Sequence, residues 1–242
     1  KSMQTLLRLS ILITLTMFVI VAYAQEGGPP MLVDDARVAD YKVWELNSSI
    51  NTSITSKLTL SVPHIDLNYG IYPGLQLKVE APLILNFNNG GKIGTKLGEV
   101  SAGVKYQIIN EVKYFVSAST FPQYSFNVNR GLLVPVFIEK TFDRFLVGTA
   151  LGYFWGDNNY RHSEYGAIVG YRPKDNCNLM AEYFSNTDHS LVKGTSGYAN
   201  VGLRWLFGDN FMIMGSFGTQ VVTPKHLQRE KFISWIGIKN LF

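Results

Sequence analysis

Cysteine is nearly missing from the sequence: Cys177 is the only one in 242 residues. A single thiol excludes an intrachain disulfide and a cysteine metal site, and Cys177 reads as an incidental free thiol in a turn. Histidine is scarce as well. His64, His162, His189 and His226 include no pair at helical or hairpin ligand spacing, so no metal is expected. Charged residues make up only 17% of the chain, with no basic run for nucleic acid and no acidic tail. Beyond residue 24 no apolar run approaches the roughly 18 residues of a membrane-crossing helix. Gly-x-Ser-x-Gly, phosphate-cradling and Gly-x-Gly-x-x-Gly loops are absent. Ser163 and His162 are adjacent, so a strand would turn them to opposite faces and deny a barrel-wall hydrolase its pair. Asp188-His189 reads as a polar loop. No cofactor is expected, and the chain is read as a non-enzyme.

What the sequence does contain begins with a targeting pattern. Lys1 and Arg8 precede an apolar run from Ser10 to Val21, followed by Ala22-Tyr23-Ala24. A positive start, a short apolar stretch and a small-x-small site make a secretory signal peptide, with cleavage expected after Ala24. Gln25 follows rather than cysteine, which argues against a lipid anchor. Removing 24 of 242 residues leaves 218, and losing Lys1 and Arg8 lowers the formal charge from +4 to +2. One domain is expected at that length.

The remainder alternates with a period of two. Leu75, Leu77, Val79 and Ala81 take one face, and Gln76, Lys78 and Glu80 take the other. Val100 to Ile108 and Ala199 to Trp205 repeat the pattern. Twelve strands follow, over 41–52, 57–71, 75–86, 97–109, 112–122, 132–142, 145–155, 162–172, 178–185, 197–207, 211–220 and 231–242. Pro63 suggests a bulge or a shift of face in the second. Pro135, Glu139 and Lys140 blur the sixth.

Connection lengths carry a second signal. Pro73-Gly74, Asn110-Glu111, Asp143-Arg144, Pro173 to Cys177 and Gly208 to Asn210 are tight turns. Longer polar loops lie between them, over 87–96, 123–131, 156–161, 186–196 and 221–230, and only the first hairpin, near Ser53 to Ser56, is short on that side. Short periplasmic turns and longer outer loops belong to outer-membrane barrels. Aromatics such as Trp44, Tyr69, Phe142, Trp155, Tyr171 and Trp205 cluster near strand ends, as interfacial girdles require. Phe232, Ile236, Ile238 and the terminal Phe242 share a face of the last strand.

These features predict an all-β fold: a transmembrane antiparallel up-and-down barrel of about twelve strands over 41–242. Residues 25–40 form an N-terminal periplasmic segment. In lipid every backbone polar group needs an internal partner, which only closure of the sheet provides. The expected location is the bacterial outer membrane, with its lipids as partners and barrel-insertion machinery reading the last strand at Phe242. The polar face then lines the lumen, and Glu45, Asp66, Asn68, Lys78, Glu80, Glu99, Lys105, Glu182, Arg204 and Lys239 are the candidate substrate-path residues. Two segments are candidates for narrowing it: Asn88 to Lys96, and Gly27 to Asp40 entering from the periplasmic side. The residues allow three roles, namely a passive small-molecule channel, a barrel without transport, and a barrel-borne hydrolase.

At Gly28-Pro-Pro-Met-Leu-Val-Asp-Asp35, followed by Tyr41-Lys-Val-Trp-Glu-Leu-Asn47, the chain resembles the outer-membrane barrels named for the meta pathway of phenol degradation. The resemblance continues at Asp66 to Ile71, Leu75 to Glu80 and Leu97 to Tyr106, and covers about the first third of the mature chain. Val33 stands where that family has Thr, and Lys42-Val43 where it has Gly-His. The resemblance implies an outer-membrane channel for small aromatic or other hydrophobic molecules.

Overall fold

The computed structural model describes residues 30–87, 93–190 and 193–242. The signal segment, its cleavage point and the middle of the loop at 88–92 lie outside them. Fourteen strand segments are present among the described residues: β1 (Trp44–Ile54), β2 (Leu58–Tyr72), β3 (Leu75–Phe87), β4 (Ile93–Leu97), β5 (Ser101–Ile109), β6 (Ser117–Thr120), β7 (Gln123–Ser125), β8 (Gly131–Phe142), β9 (Phe145–Gly156), β10 (Arg161–Lys174), β11 (Cys177–Asp188), β12 (Gly194–Phe207), β13 (Phe211–Val222) and β14 (Phe232–Leu241). They build twelve barrel strands. β4 and β5 pair successive stretches of β3 and are two pieces of one strand. β6 and β7 both lie between β5 and β8 and are two pieces of another.

All neighbours are antiparallel, and β1 closes the sheet against β14, from Glu45 opposite Leu241 to Ile54 opposite Phe232. Trp44 and Phe242 exchange backbone hydrogen bonds of 2.8 and 3.0 Å at the seam. The chain's last residue therefore locks its first strand, and no ladder is left as an edge there.

Two sequence expectations need adjustment, at the fifth strand and at Pro135, while the irregularity expected at Pro63 is present. The fifth strand begins at Ser117 rather than at 112, because residues 110–116 form a broader turn in which Val112, Tyr114 and Phe115 stay exposed. The register of β2 against β3 shifts between Ser61 and His64, around Pro63, which cannot donate to the ladder. At Pro135 the β8–β9 register runs unbroken, so Glu139 turns inward and Lys140 outward.

The burial pattern is that of a soluble protein turned inside out. Lys105 and Arg204 are 2% exposed, whereas Leu151 is 61% and Phe217 60% exposed. Aromatic pairs ring one end: Trp44 stacks on Tyr69 at 4.4 Å, Phe145 meets Tyr171 at 5.0 Å and Trp205 meets Phe207 at 6.1 Å. Tyr153–Trp155 and Tyr124–Phe126 stand at the other end. An outer wall of Leu, Val and Ile between two aromatic rings is a surface for hydrocarbon, not for water. Arginine at Leu77, Val104 or Leu203 should therefore cost about 2–4 kcal/mol near the midplane. Denaturant titration of barrels refolded into vesicles measures this. Costs under about 1 kcal/mol at all three would place that face away from lipid.

Candidate functional site: the lumen and the segment that fills it

Residues 30–40 run up the inside of the barrel, from the end of β1 that carries the short turns toward the middle of the lumen. Met31, Val33, Asp35, Ala36 and Ala39 are buried there. An extended segment away from water needs a partner for each backbone group. The wall supplies several, and Asp34 and Asp35 accept from the Asp35 and Arg37 N–H groups. The Glu182 carboxylate accepts from Leu32 and Val33 N–H, both at 2.8 Å. Glu139 accepts from Ala36 N–H at 3.2 Å, and Gln76 Oε1 from Ala39 N–H at 2.6 Å. Ser216 Oγ donates to the Pro30 carbonyl at 2.6 Å.

Charge fixes the same segment sideways. Lys105 Nζ lies 3.2 Å from Asp34 and 2.7 Å from Asp35. Arg37 Nε donates to Glu139 at 3.0 Å. Around this contact the polar wall continues: Lys78 meets Asp66 at 3.3 Å and Glu80 at 3.6 Å, and Lys239 meets Glu45 at 3.1 Å. Asn68 Nδ2 donates to Asp66 at 3.0 Å, and Gln76 Nε2 to Asn68 at 2.5 Å. His64 Nε2 sits 2.5 Å from Glu80.

The sequence candidates thus occupy three places. Glu45, Asp66, Asn68, Lys78, Glu80, Lys105 and Lys239 share the wall of β1, β2, β3, β5 and β14. Glu182 and the buried Arg204 stand across the lumen on β11 and β12. Glu99 lies apart, in the break between β4 and β5, exposed and accepting from Ser125 Oγ at 2.6 Å. Of the two segments considered for narrowing the bore, Ile93–Leu97 belongs to the wall, paired with β3.

Half of the lumen is missing from that candidate set because it is apolar. Phe121, Phe137, Leu146, Ala150, Ile168 and Met180 form a buried cluster with Met31, Val33 and Ala36. Met212 and Met214 face inward beside it. An assumption that polar means lumen hides these positions, since β8 to β11 carry apolar residues on both faces. The legible signal was glycine. At Gly166 a Cβ would sit 2.4 Å from Val33 Cγ2, and at Gly202 it would sit 2.6 Å from Met31 Sδ. Those two grooves receive the segment's apolar side chains.

Above residues 30–32 the lumen opens into a cavity of about 600 Å³ lined by Leu32, Phe184, Tyr198, Ile233 and Trp235 among others. A second of about 260 Å³ adjoins Phe121, Phe137, His64 and Glu164. Outside the wall, Ser163 Oγ lies 2.9 Å from His189 Nε2, and the His189 ring stacks on Tyr153. Among the described residues no carboxylate orients that histidine. In the turn between β5 and β6 burial tends to raise the Glu111 carboxyl. Lys140 at 2.7 Å and the Thr141 N–H at 2.9 Å outweigh it and hold the group below its ordinary value.

Lys105 is the cation on which the segment's two acids converge. Lys105→Met should leave Asp34 and Asp35 short of a buried partner and cost about 3–5 kcal/mol. Adding Asp34→Asn and Asp35→Asn should recover part of it. Urea unfolding of the single and triple variants measures the coupling. Strictly additive costs would show that the contact carries no weight.

No family model and no curated protein matches the chain. Among solved structures it is similar to an outer membrane channel from Pseudomonas putida F1, with a TM-score of 0.67 and 12% identity over 90% of this chain and 100% of that one. It is similar to the NanC porin at 0.60 and 10% identity, over 81% of this chain and 99% of the other. The KdgM porin gives 0.55 and 11%, over 81% and 99%. At these identities the likeness is one of fold: the chain has the closed antiparallel β-barrel of outer-membrane channels and porins.

Proposed function

We propose that the chain is an outer-membrane channel for passive uptake of small, mainly apolar molecules, aromatic ones included. The observation that carries this reading is the two-sided lumen. An apolar solute arriving at the outer end meets a cavity of about 600 Å³ edged by Leu32, Phe184, Tyr198 and Trp235. That size lies within the roughly 300–1,000 Å³ of small-ligand sites. From there an apolar wall of Phe137, Leu146, Ile168 and Met180 leads toward the periplasmic end. Residues 31–39 occupy this route, so passage requires them to shift. The fold shared with channels and porins supports the same reading, as does the resemblance to the phenol meta-pathway barrels.

Export through a cleaved signal peptide, insertion by machinery reading the strand that ends at Phe242, and residence among outer-membrane lipids belong to this proposal. A barrel without transport is the second reading. The ion pairs of Lys105 with Asp34 and Asp35, and of Arg37 with Glu139, favour it by holding the segment in place.

Flux separates the two. Proteoliposomes with lipopolysaccharide in the outer leaflet should take up benzyl alcohol faster than protein-free vesicles. Deleting residues 25–40 should raise the rate several-fold, and neutralising Lys78 and Lys105 together should change it. No protein-dependent uptake in either form, with no conductance at any voltage, would leave the non-transporting barrel.

A further inference from the structure

The lumen reading leaves a ring of cations unused. At the outer end, five of the six connections carry or border at least one, namely Lys57, Arg130, Arg161, Lys193 and Arg229, and Lys96 lies on β4 below the sixth. All six are exposed, and among the described residues none is ion-paired with a carboxylate. Fewer acids stand with them: Glu99 is exposed beside the loop that precedes Arg130, and Asp188 is half-buried next to the His189 that bonds the Arg161 backbone. Asp157 is exposed at that end, while Glu164 and Glu230 turn toward the lumen cavities. The exposed charges of the other end are balanced instead, with Lys42, Lys113, Arg144 and Lys174 set against Asp40, Asp143, Asp175 and Asp209.

Two members of the ring have a specific setting. Gly131 pairs with Gly156, and Arg161 with Trp155, so Arg130 and Arg161 flank the end of β9. Gly131 and His162 are the buried, lumen-side neighbours. Alternation therefore sends Arg161 to the outside of the barrel, and Arg130 is exposed in the connection just before β8. Two strand spacings separate them by roughly 10 Å. Between them Trp155 is 48% exposed and packs on Tyr153. Two exposed arginines thus stand at the ends of the strands on either side of the one that carries this indole, at the level of the aromatic ring where the apolar wall ends. A guanidinium matches phosphate bidentately and stays charged at any physiological pH. The aromatic level is where lipid headgroups lie.

We infer that the Arg130–Trp155–Arg161 edge of the outer rim binds the phosphorylated headgroup of an outer-leaflet lipid. The acyl chains of that lipid lie against the exposed wall of β8, β9 and β10 below. Leu132, Val136, Leu151 and Val169 supply that wall. The inference rests on the outer-membrane reading above and adds a fixed lipid partner to it.

Native mass spectrometry of the full-length processed barrel, purified in detergent and incubated with diphosphorylated lipid A, tests it. Wild type should retain the lipid. The Arg130→Gln/Arg161→Gln variant should retain it roughly tenfold less or weaker still, since two charge-assisted contacts are lost. Lipid A stripped of phosphate should behave like that loss. A Lys42→Gln/Lys174→Gln variant at the other rim should bind as wild type does. Heat-modified mobility on gels verifies that each variant is folded. Equal retention by the arginine variant, or of the dephosphorylated lipid, overturns the inference while leaving the outer-membrane reading intact. Failure of the folded wild type to insert into lipid vesicles would overturn both.

Discussion

A twelve-stranded barrel is too wide to be filled by its own inward side chains, as an eight-stranded one is, and too narrow for a wide aqueous bore. Something must occupy the interior, or polar and apolar walls face each other across water. Here an extended stretch of the same chain does so. Its backbone is bare of ladder partners, and the Glu182 carboxylate closes two of its N–H groups at once at 2.8 Å. Most other features of the lumen follow from that arrangement. Glu139 and Gln76 continue the series of acceptors, Lys105 answers the two adjacent aspartates, and glycines clear space where Val33 and Met31 press on the wall.

The segment and the wall are complementary because both are divided. Asp34 and Asp35 look toward Lys105, and Met31, Val33 and Ala36 join the apolar cluster opposite. Buried charges are tolerable only when paired, and removing one member costs more than the pair gains. The lumen therefore behaves as a docking groove for one strand-like ligand that the chain carries itself. A solute that passes must exchange with it, or use the cavity left above Leu32.

The barrel was legible from residue order because the wall obeys simple alternation. Leu77 and Lys78, Val104 and Lys105, Leu203 and Arg204 fall on opposite faces wherever one face is polar. The turns were legible because tight ones need Pro73-Gly74 or Gly208 to Asn210. The late start of β6 at Ser117 was not, because the exposed aromatics Tyr114 and Phe115 mimic strand residues. The apolar half of the lumen stayed hidden for a related reason. Leu146, Ile168 and Met180 are indistinguishable in sequence from lipid-facing Val147, Val169 and Leu179. What buries them is a segment distant in sequence, and periodicity within a strand cannot report a partner some 115 to 150 residues away, the span from Leu32 or Val33 to Glu182 being 150 and 149.

The contact between Val33 and Gly166 decides whether residues 30–40 occupy the lumen of the folded barrel. Cysteines placed at both positions in a Cys177→Ser background sit close enough for a disulfide, whose Cβ atoms need to be about 3.5–4.5 Å apart. Mild oxidation of the folded protein should link them in nearly every molecule, read as loss of maleimide labelling and a mobility shift that reductant reverses. Free labelling of both thiols in a folded barrel would contradict an occupied lumen, and with it the account of the wall residues that hold the segment.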